Sequence, residues 1–304
     1  MSDPIRCTDL TRRFRSVLAV DRLRLSVPEG AIYALVGTNG AGKTTTIKTL
    51  MNIFRPSGGS AEVLGIDSRR ISPRELAQIG YVSENQQLPE WMTVEYLLAY
   101  LKPFYPKWDD SLAQELVRDL DLPLGRKLRH LSRGVKMKAA LASSLAYRPK
   151  LVVLDEPFGG LDPLVRDEFI EGLLERASGT TVLISSHDLA EIESFASHVG
   201  YLDRGTLLFS EEMGALAGRF REIEVTLEAT PALPAAWPPD WIQPETSSAV
   251  VRFVDSRFDE ERSLVEVRRL FPNALNVAVN AMPLRQIFVA LAKTRRQAAG
   301  TGSA

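Results

Sequence analysis

The chain contains a single cysteine, Cys7, so no intrachain disulfide can form and the thiol reads as structural filler suited to a reducing compartment. It also lacks a charge excess: Lys and Arg total 37 against 38 for Asp and Glu, a formal net charge of −1. That balance leaves no electrostatic footprint for nucleic acid, and no nucleic-acid partner is expected. No uncharged apolar run reaches the roughly 18 residues that cross a bilayer. Residues 1–10 are polar, without the apolar centre of a signal peptide. A role at a membrane would therefore require a separate spanning partner.

What is present is the mixture of an ordinary soluble globular protein, 45% hydrophobic and 25% charged over 304 residues. That length suits one large domain, or one large and one small. Short, uniformly apolar runs at 31–36, 151–154 and 181–184 predict strands of a parallel sheet covered on both faces, an α/β fold. Val165, Phe169, Leu173 and Ala177 recur four apart, predicting an amphipathic helix between two of those strands. Residues 91–148 show helical spacing punctuated by Pro103, Pro106 and Pro123, the pattern of a helical subdomain inserted between strands. After residue 210 the pattern predicts a small α/β accessory domain. Its strands fall near 222–228, 249–254 and 274–279, its helices near 261–270 and 283–293, with a Pro- and Trp-rich connection through Pro231, Pro234, Pro238 and Pro239. The expected boundaries are 1–212, with the helical subdomain about 88–148, then 213–294, and a disordered tail at 295–304.

Gly37, Thr38, Asn39, Gly40, Ala41, Gly42, Lys43 and Thr44 match G-x-x-x-x-G-K-[ST] between a predicted strand and helix. Glycines let the backbone curl so that successive N–H groups face phosphate oxygens, and the helix N-terminus adds partial positive charge. Lys43 is expected to reach the β- and γ-phosphates and the Thr44 hydroxyl to ligate Mg²⁺. Downstream, the apolar run at 151–154 ends in Asp155 and Glu156. A carboxylate at the end of a buried strand needs a cation or donors to face. Asp155 is expected to hold the metal and Glu156 to polarise the attacking water.

These residues resemble the ATP-binding subunits of ABC transporters, over roughly residues 5–210 and with motifs in the family's order. Gly37 to Thr45 resembles Walker A and Leu151 to Glu156 Walker B. Leu131, Ser132, Arg133, Gly134 and Val135 are similar to the LSGGQ signature, Gly160, Leu161 and Asp162 to the D-loop, and His187 to the switch histidine. The resemblance implies a P-loop NTPase ABC-cassette core, mostly parallel with an antiparallel β subdomain, carrying an inserted helical subdomain. It implies ATP and Mg²⁺ as cofactors. The implied roles are γ-phosphate contact for His187, adenine stacking for Phe14, and nucleotide contacts for Thr45, Ser132, Gly134 and Asp162. It also implies a second cassette facing this one head to tail, identical or paralogous, and an integral-membrane permease. That places the chain peripherally on the cytoplasmic face of the inner or plasma membrane. The C-terminal region resembles cassettes paired with ABC-2-type permeases, often exporters.

The sequence departs from the pattern at three positions, one of them Val135, where the signature has glutamine. Arg133 replaces the signature's first glycine, which requires a backbone that tolerates a side chain and adds positive charge near the phosphates. Glu84 stands where the family has the Q-loop glutamine, leaving Glu84, Gln86 or Gln87 as the metal-facing residue. The competing reading is a soluble ABC-type ATPase acting on ribosome or DNA. A translation factor would carry two phosphate loops, and a chromosome or repair ATPase would be split by a long coiled coil. One loop and no sustained heptads are present.

Overall fold

The computed structural model describes residues 3–176, 179–229, 234 and 237–301, without the side chains of 292 and 295–301. The chain divides into two compact units, Met1–Ser210 and Glu211–Ala304.

The first unit opens with two long strands, β1 (Ile5–Phe14) and β2 (Val17–Val27), followed by β3 (Ile32–Val36) and helix α1 (Lys43–Leu50). Next come β4 (Gly58–Val63), β5 (Ile66–Asp67), the short α2 (Pro73–Leu76) and β6 (Ile79–Ser83). The inserted segment supplies α3 (Val94–Leu101), α4 (Asp110–Asp119) and α5 (Arg133–Leu145). Then follow β7 (Leu151–Asp155), α6 (Pro163–Arg176), β8 (Thr181–Ser186), β9 (His198–Asp203) and β10 (Thr206–Glu212). One sheet has the order β2-β1-β4-β5 and is antiparallel. The second has the order β10-β9-β3-β8-β7-β6, with β9, β3, β8, β7 and β6 parallel.

Burial on both faces explains the composition of the central strands. Every residue of β7 and β8 is buried, so nothing in Leu151–Asp155 alternates, as expected for a sheet covered on both sides. The core that joins the two sheets gathers Leu10, Val20 and Leu23 from the antiparallel sheet with Tyr33, Leu35 and Val153 from the parallel one, over Ile47 and Leu50 of α1. Strands β6 and β7 are neighbours, with Ile79 opposite Leu151. All of α3, α4 and α5 therefore leave the sheet and return within one crossover. Helix α5 is buried on nearly all sides and rich in Ala and Ser. Gly134 lets it approach α6, since a Cβ there would lie 2.5 Å from Val165 Cγ1.

One expectation about helices is met as far as the described residues reach, and one changes. Helix α6 runs Pro163–Arg176, and Ala177 lies outside the described residues. The stretch expected as a disordered tail is helical through Thr301, as its Arg, Gln and Ala residues favour; residues 302–304 lie outside the described residues.

The second unit contains α7 (Met213–Arg219), β11 (Arg221–Leu227), β12 (Trp241–Ser247), β13 (Val250–Asp255), α8 (Glu260–Leu270), β14 (Ala274–Ala281) and α9 (Leu284–Thr301). Its antiparallel sheet has the order β12-β13-β11-β14. Alternation in β11 turns Ile223 and Val225 inward, where they meet Val251 and Phe253 of β13 and Val267 of α8. Of the Pro- and Trp-rich connection, Pro231 lies outside the described residues, and the part from Trp237 on packs against a strand. Trp241 begins β12 and stacks on Phe253 at 4.2 Å, while Trp237 Nε1 donates to the Trp241 carbonyl at 2.7 Å. Pro244 is accommodated because β12 is an edge strand whose register breaks between Ile242 and Glu245.

Asp255 is the buried polar anchor of this unit. It accepts from Trp241 Nε1 at 3.2 Å, Ser263 Oγ at 2.6 Å and the Arg257 N–H at 2.9 Å. Asp255→Ala leaves two buried donors and one half-buried donor without an acceptor and is expected to lower the unit's unfolding free energy by about 2–4 kcal/mol. Denaturant unfolding followed by tryptophan fluorescence checks this, and an unchanged midpoint would contradict it.

Candidate nucleotide site

The phosphate loop begins where β3 stops. The Gly37 N–H donates to the Ser186 carbonyl at 3.3 Å, tying the loop to the end of β8. A Cβ at Gly37 would lie 2.2 Å from the Leu202 carbonyl oxygen. Gly42 caps α1 with φ of 109°, and a Cβ there would lie 2.4 Å from the Ala19 oxygen. Both positions thus demand glycine, one for space and the other for space and conformation. No side chain caps α1 and no acidic residue occupies its first turn. Its first N–H groups are therefore left to an anion.

Lys43 is almost fully buried and folds back over the loop. Its Nζ donates to the Gly37 carbonyl at 2.5 Å and the Thr38 carbonyl at 3.2 Å, and meets Glu156 Oε1 at 3.0 Å. The other Glu156 oxygen, Oε2, lies 2.8 Å from His187 Nδ1. The carboxylate is thus held between the loop lysine and the histidine that follows β8. Glu156 itself adopts φ of 50°, a left-handed conformation costing about 1–3 kcal/mol in a non-glycine residue. Its N–H donates to Ser185 Oγ at 3.0 Å, which helps hold the turn. The hydrogen bond from Glu156 raises the His187 pKa above the ordinary imidazole value, against a smaller opposing effect of burial.

Asp155 stands behind this group, buried at the end of β7. Its Oδ1 accepts from Ser185 Oγ at 2.8 Å and Thr44 Oγ1 at 3.0 Å. Burial pushes its pKa up despite those two bonds, and the neighbouring Glu156 pushes it the same way. The register explains the meeting. Asp155 pairs with Ser185, and Val36, just before the loop, pairs with Ser186.

A cavity of about 280 Å³ opens over these groups, lined by Ala19, Asn39, Gly40, Ala41, Gly42, Lys43, Thr44, Thr45, Glu84, Glu156 and His187. A larger cavity of about 470 Å³ between α3 and α4 holds none of these side chains. Of the three candidates after β6, Glu84 reaches the wall and Gln86 and Gln87 do not. Gln86 instead accepts from the Ser83 N–H at 3.4 Å.

Four expected residues stand elsewhere. Phe14 packs edge-on to Phe54 at 5.2 Å, with the Arg12 guanidinium 4.2 Å over its ring. It does not line the cavity, and Ala19 of β2 does. Ser132 caps α5 through the Val135 N–H at 3.3 Å, and Asp162 accepts from the Val165 N–H at 3.1 Å at the start of α6. Gly134 is buried against Val165. Arg133 takes the first position of α5, in a right-handed helical conformation, so its side chain carries no backbone penalty. Two contributors escaped the sequence reading. Ser185 had a faint signal, a hydroxyl ending an apolar strand; Ala19 had none.

The profile of the ABC transporter family matches residues 20–159, a span that contains both the phosphate loop and the acidic end of β7. The bacitracin transport ATP-binding protein BcrA of Bacillus licheniformis is 34% identical over 212 residues, 68% of this chain and 69% of that protein. The daunorubicin/doxorubicin resistance ATP-binding protein DrrA of Streptomyces peucetius is 28% identical over 304 residues, 94% of this chain and 92% of that one. A solved ATP-binding subunit of an ABC transporter superposes with a TM-score of 0.64 at 27% identity, covering 70% of this chain and 92% of its own. The likeness spans the segment that builds the cavity and extends, in one relative, through the second unit; the chain belongs to the ATP-binding proteins of ABC transporters.

Proposed function

We propose that the chain binds ATP with Mg²⁺ in the 280 Å³ cavity, hydrolyses it, and powers export through a separate membrane permease. The observation that carries this reading is the contiguous group Lys43–Glu156–His187, set beside the Thr44–Asp155 pair. Thr44 and Asp155, with Glu84 on the cavity wall, offer oxygen donors only, and among the described residues the buried Asp155 carboxylate makes no direct ion pair, the Lys48 charge acting on it only weakly. That donor set fits Mg²⁺, which binds few protein carboxylates together with phosphate oxygens. Bound there, the ion would neutralise charge on the β- and γ-phosphates.

Lys43 supplies a charge for the same phosphates. Glu156 orients the attacking water and takes its proton as the water oxygen bonds to the γ-phosphorus and the bond to the β–γ bridging oxygen breaks. His187 holds the Glu156 carboxylate and donates toward the departing phosphate. Ser132, Gly134 and Asp162 are not on the wall of this chain's cavity. Their roles fall to a second cassette facing the first, so that ATP closes a dimer and hydrolysis opens it.

No helix among the described residues is long and apolar enough to cross a membrane. The permease is a different polypeptide, of the ABC-2 type, and the cassette is peripheral on the cytoplasmic face. Trp91, Tyr96, Tyr100 and Phe104 are all exposed on and around α3, a surface suited to docking an apolar partner. The drug-related names of the relatives favour export.

Glu156→Gln is expected to keep ATP binding, to slow turnover at least about 10²-fold, and to accumulate an ATP-dependent dimer on light scattering. Hydrolysis at the parental rate would remove Glu156 from its role. Asp155→Asn keeps an oxygen for Ser185 and Thr44 but removes the buried charge. The variant is expected to melt higher at neutral pH by about 1 kcal/mol, roughly 2–4 °C, while losing Mg²⁺-dependent hydrolysis.

His187 adds a pH signature. Because its pKa is raised on folding, its stabilising contribution is complete below the ordinary value of about 6.5. That contribution is lost as pH rises through the higher folded value. The melting-temperature advantage over His187→Asn should therefore be present at pH 6 and shrink by pH 9; a gap that widens would contradict the pairing.

A further inference from the structure

Two of the departures from the family pattern meet in space. Arg133 Nη2 donates to Glu84 Oε1 at 2.9 Å across 49 residues of sequence. Glu84 is anchored to the acidic strand end through its own N–H, which donates to the Asp155 carbonyl at 2.8 Å. Glu84 lines the cavity together with Lys43 and Glu156. The loop between Glu156 and Asp162 completes the contact. A Cβ at Gly159 would lie 2.9 Å from Glu84 Oε1, and one at Gly160 would lie 3.2 Å from Arg133 Nη1. Gly160 also has φ of 70°. Paired glycines therefore give the ion pair a seat that side chains would fill.

The charges give this contact a purpose. An amide after β6 would be neutral, whereas Glu84 adds a full negative charge to a wall that must accept a polyphosphate. On that wall the Lys43 ammonium and the His187 ring already face Glu156. Arg133 approaches Glu84 from the start of α5, outside the cavity lining, and neutralises it there.

We propose that Arg133 is a positioning residue for the nucleotide: it draws the Glu84 carboxylate onto the Gly159–Gly160 loop and cancels its charge. The substitutions at 84 and 133 thus act as one compensated unit. This rests on the cavity being the ATP site. The competing view is a half-exposed surface pair, the side chains being 47% and 39% exposed, of a kind that contributes little to stability.

The test uses the full chain and its Arg133→Gln, Arg133→Lys and Glu84→Gln/Arg133→Gln variants. ATP affinity is measured by displacement of a fluorescent analogue, with EDTA and with Mg²⁺. Without divalent cation the nucleotide carries its full charge, so Arg133→Gln should weaken binding about tenfold, with a loss nearer threefold in Mg²⁺. The loss should shrink as salt is raised. The double variant should return to within twofold of the parent in EDTA, where no metal contact of Glu84 contributes. A merely structural role for Arg133 would not be rescued by neutralising Glu84.

Arg133→Gln binding at the parental level, or a double variant as weak as the single one, would overturn the proposal. Should Arg133→Gln be unfolded by its melting curve, Arg133→Lys decides. Binding within threefold of the parent, together with the recovered double variant, supports charge compensation; a tenfold loss in both contradicts it. A parent chain that binds no ATP under either condition would instead remove the nucleotide reading itself.

Discussion

The parallel alignment of β3, β8 and β7 is the constraint on which the site depends. Three strands from distant parts of the chain end level with one another, so the residues just beyond their carboxyl ends are delivered to one place. The phosphate loop follows β3, Asp155 and Glu156 end β7, and His187 follows β8. Their side chains need only short reaches to meet: Glu156 lies 3.0 Å from Lys43 and 2.8 Å from His187. The sheet can hold this register because β7 and β8 are buried throughout. A one-residue slip of β7 would carry Asp155 to the opposite face, away from the Ser185 and Thr44 hydroxyls.

Charge is distributed around that cavity with little surplus. Asp155 is buried, relieved by two hydroxyls and held above its ordinary pKa. Glu156 occupies a strained left-handed turn and is shared by the Lys43 ammonium and the His187 ring. A site so arranged stores destabilisation where chemistry needs it, and the surrounding core over-determines the strained residues. Glu84 would add one more anion to the same wall, and the position of Arg133 makes that addition tolerable. The glycine pair at 159 and 160 serves this by leaving room for both side chains.

Outside the cavity, residues with implied nucleotide roles have local structural duties. Ser132 and Asp162 satisfy the first N–H groups of α5 and α6, and Gly134 allows those helices to touch. Such caps present the start of α5 in a defined geometry, which a facing cassette can use. Phe14 is engaged with Phe54 and Arg12. The second unit builds its own core around Trp241, Phe253 and Val267, with Asp255 as its buried polar anchor.

Much of the site was legible in the sequence because its chemistry is local. The phosphate loop needs eight consecutive residues between a strand and a helix, and the acidic pair needs only an apolar run before it. The helical character and the inserted position of the subdomain followed from short-range periodicity in the same way. What spacing along the chain could not decide was which distant side chains touch. The choice of Glu84 over Gln86 or Gln87, its pairing with Arg133, the contribution of Ser185 and the packing of Phe14 away from the cavity all depend on strand register and helix approach. Likewise no strand was expected directly after the Pro-rich connection, whereas Trp241, buried against Phe253, begins the edge strand Trp241–Ser247. Local backbone demands are written in neighbouring residues; the pairing of remote charges and rings is fixed only when the sheets and helices close around them.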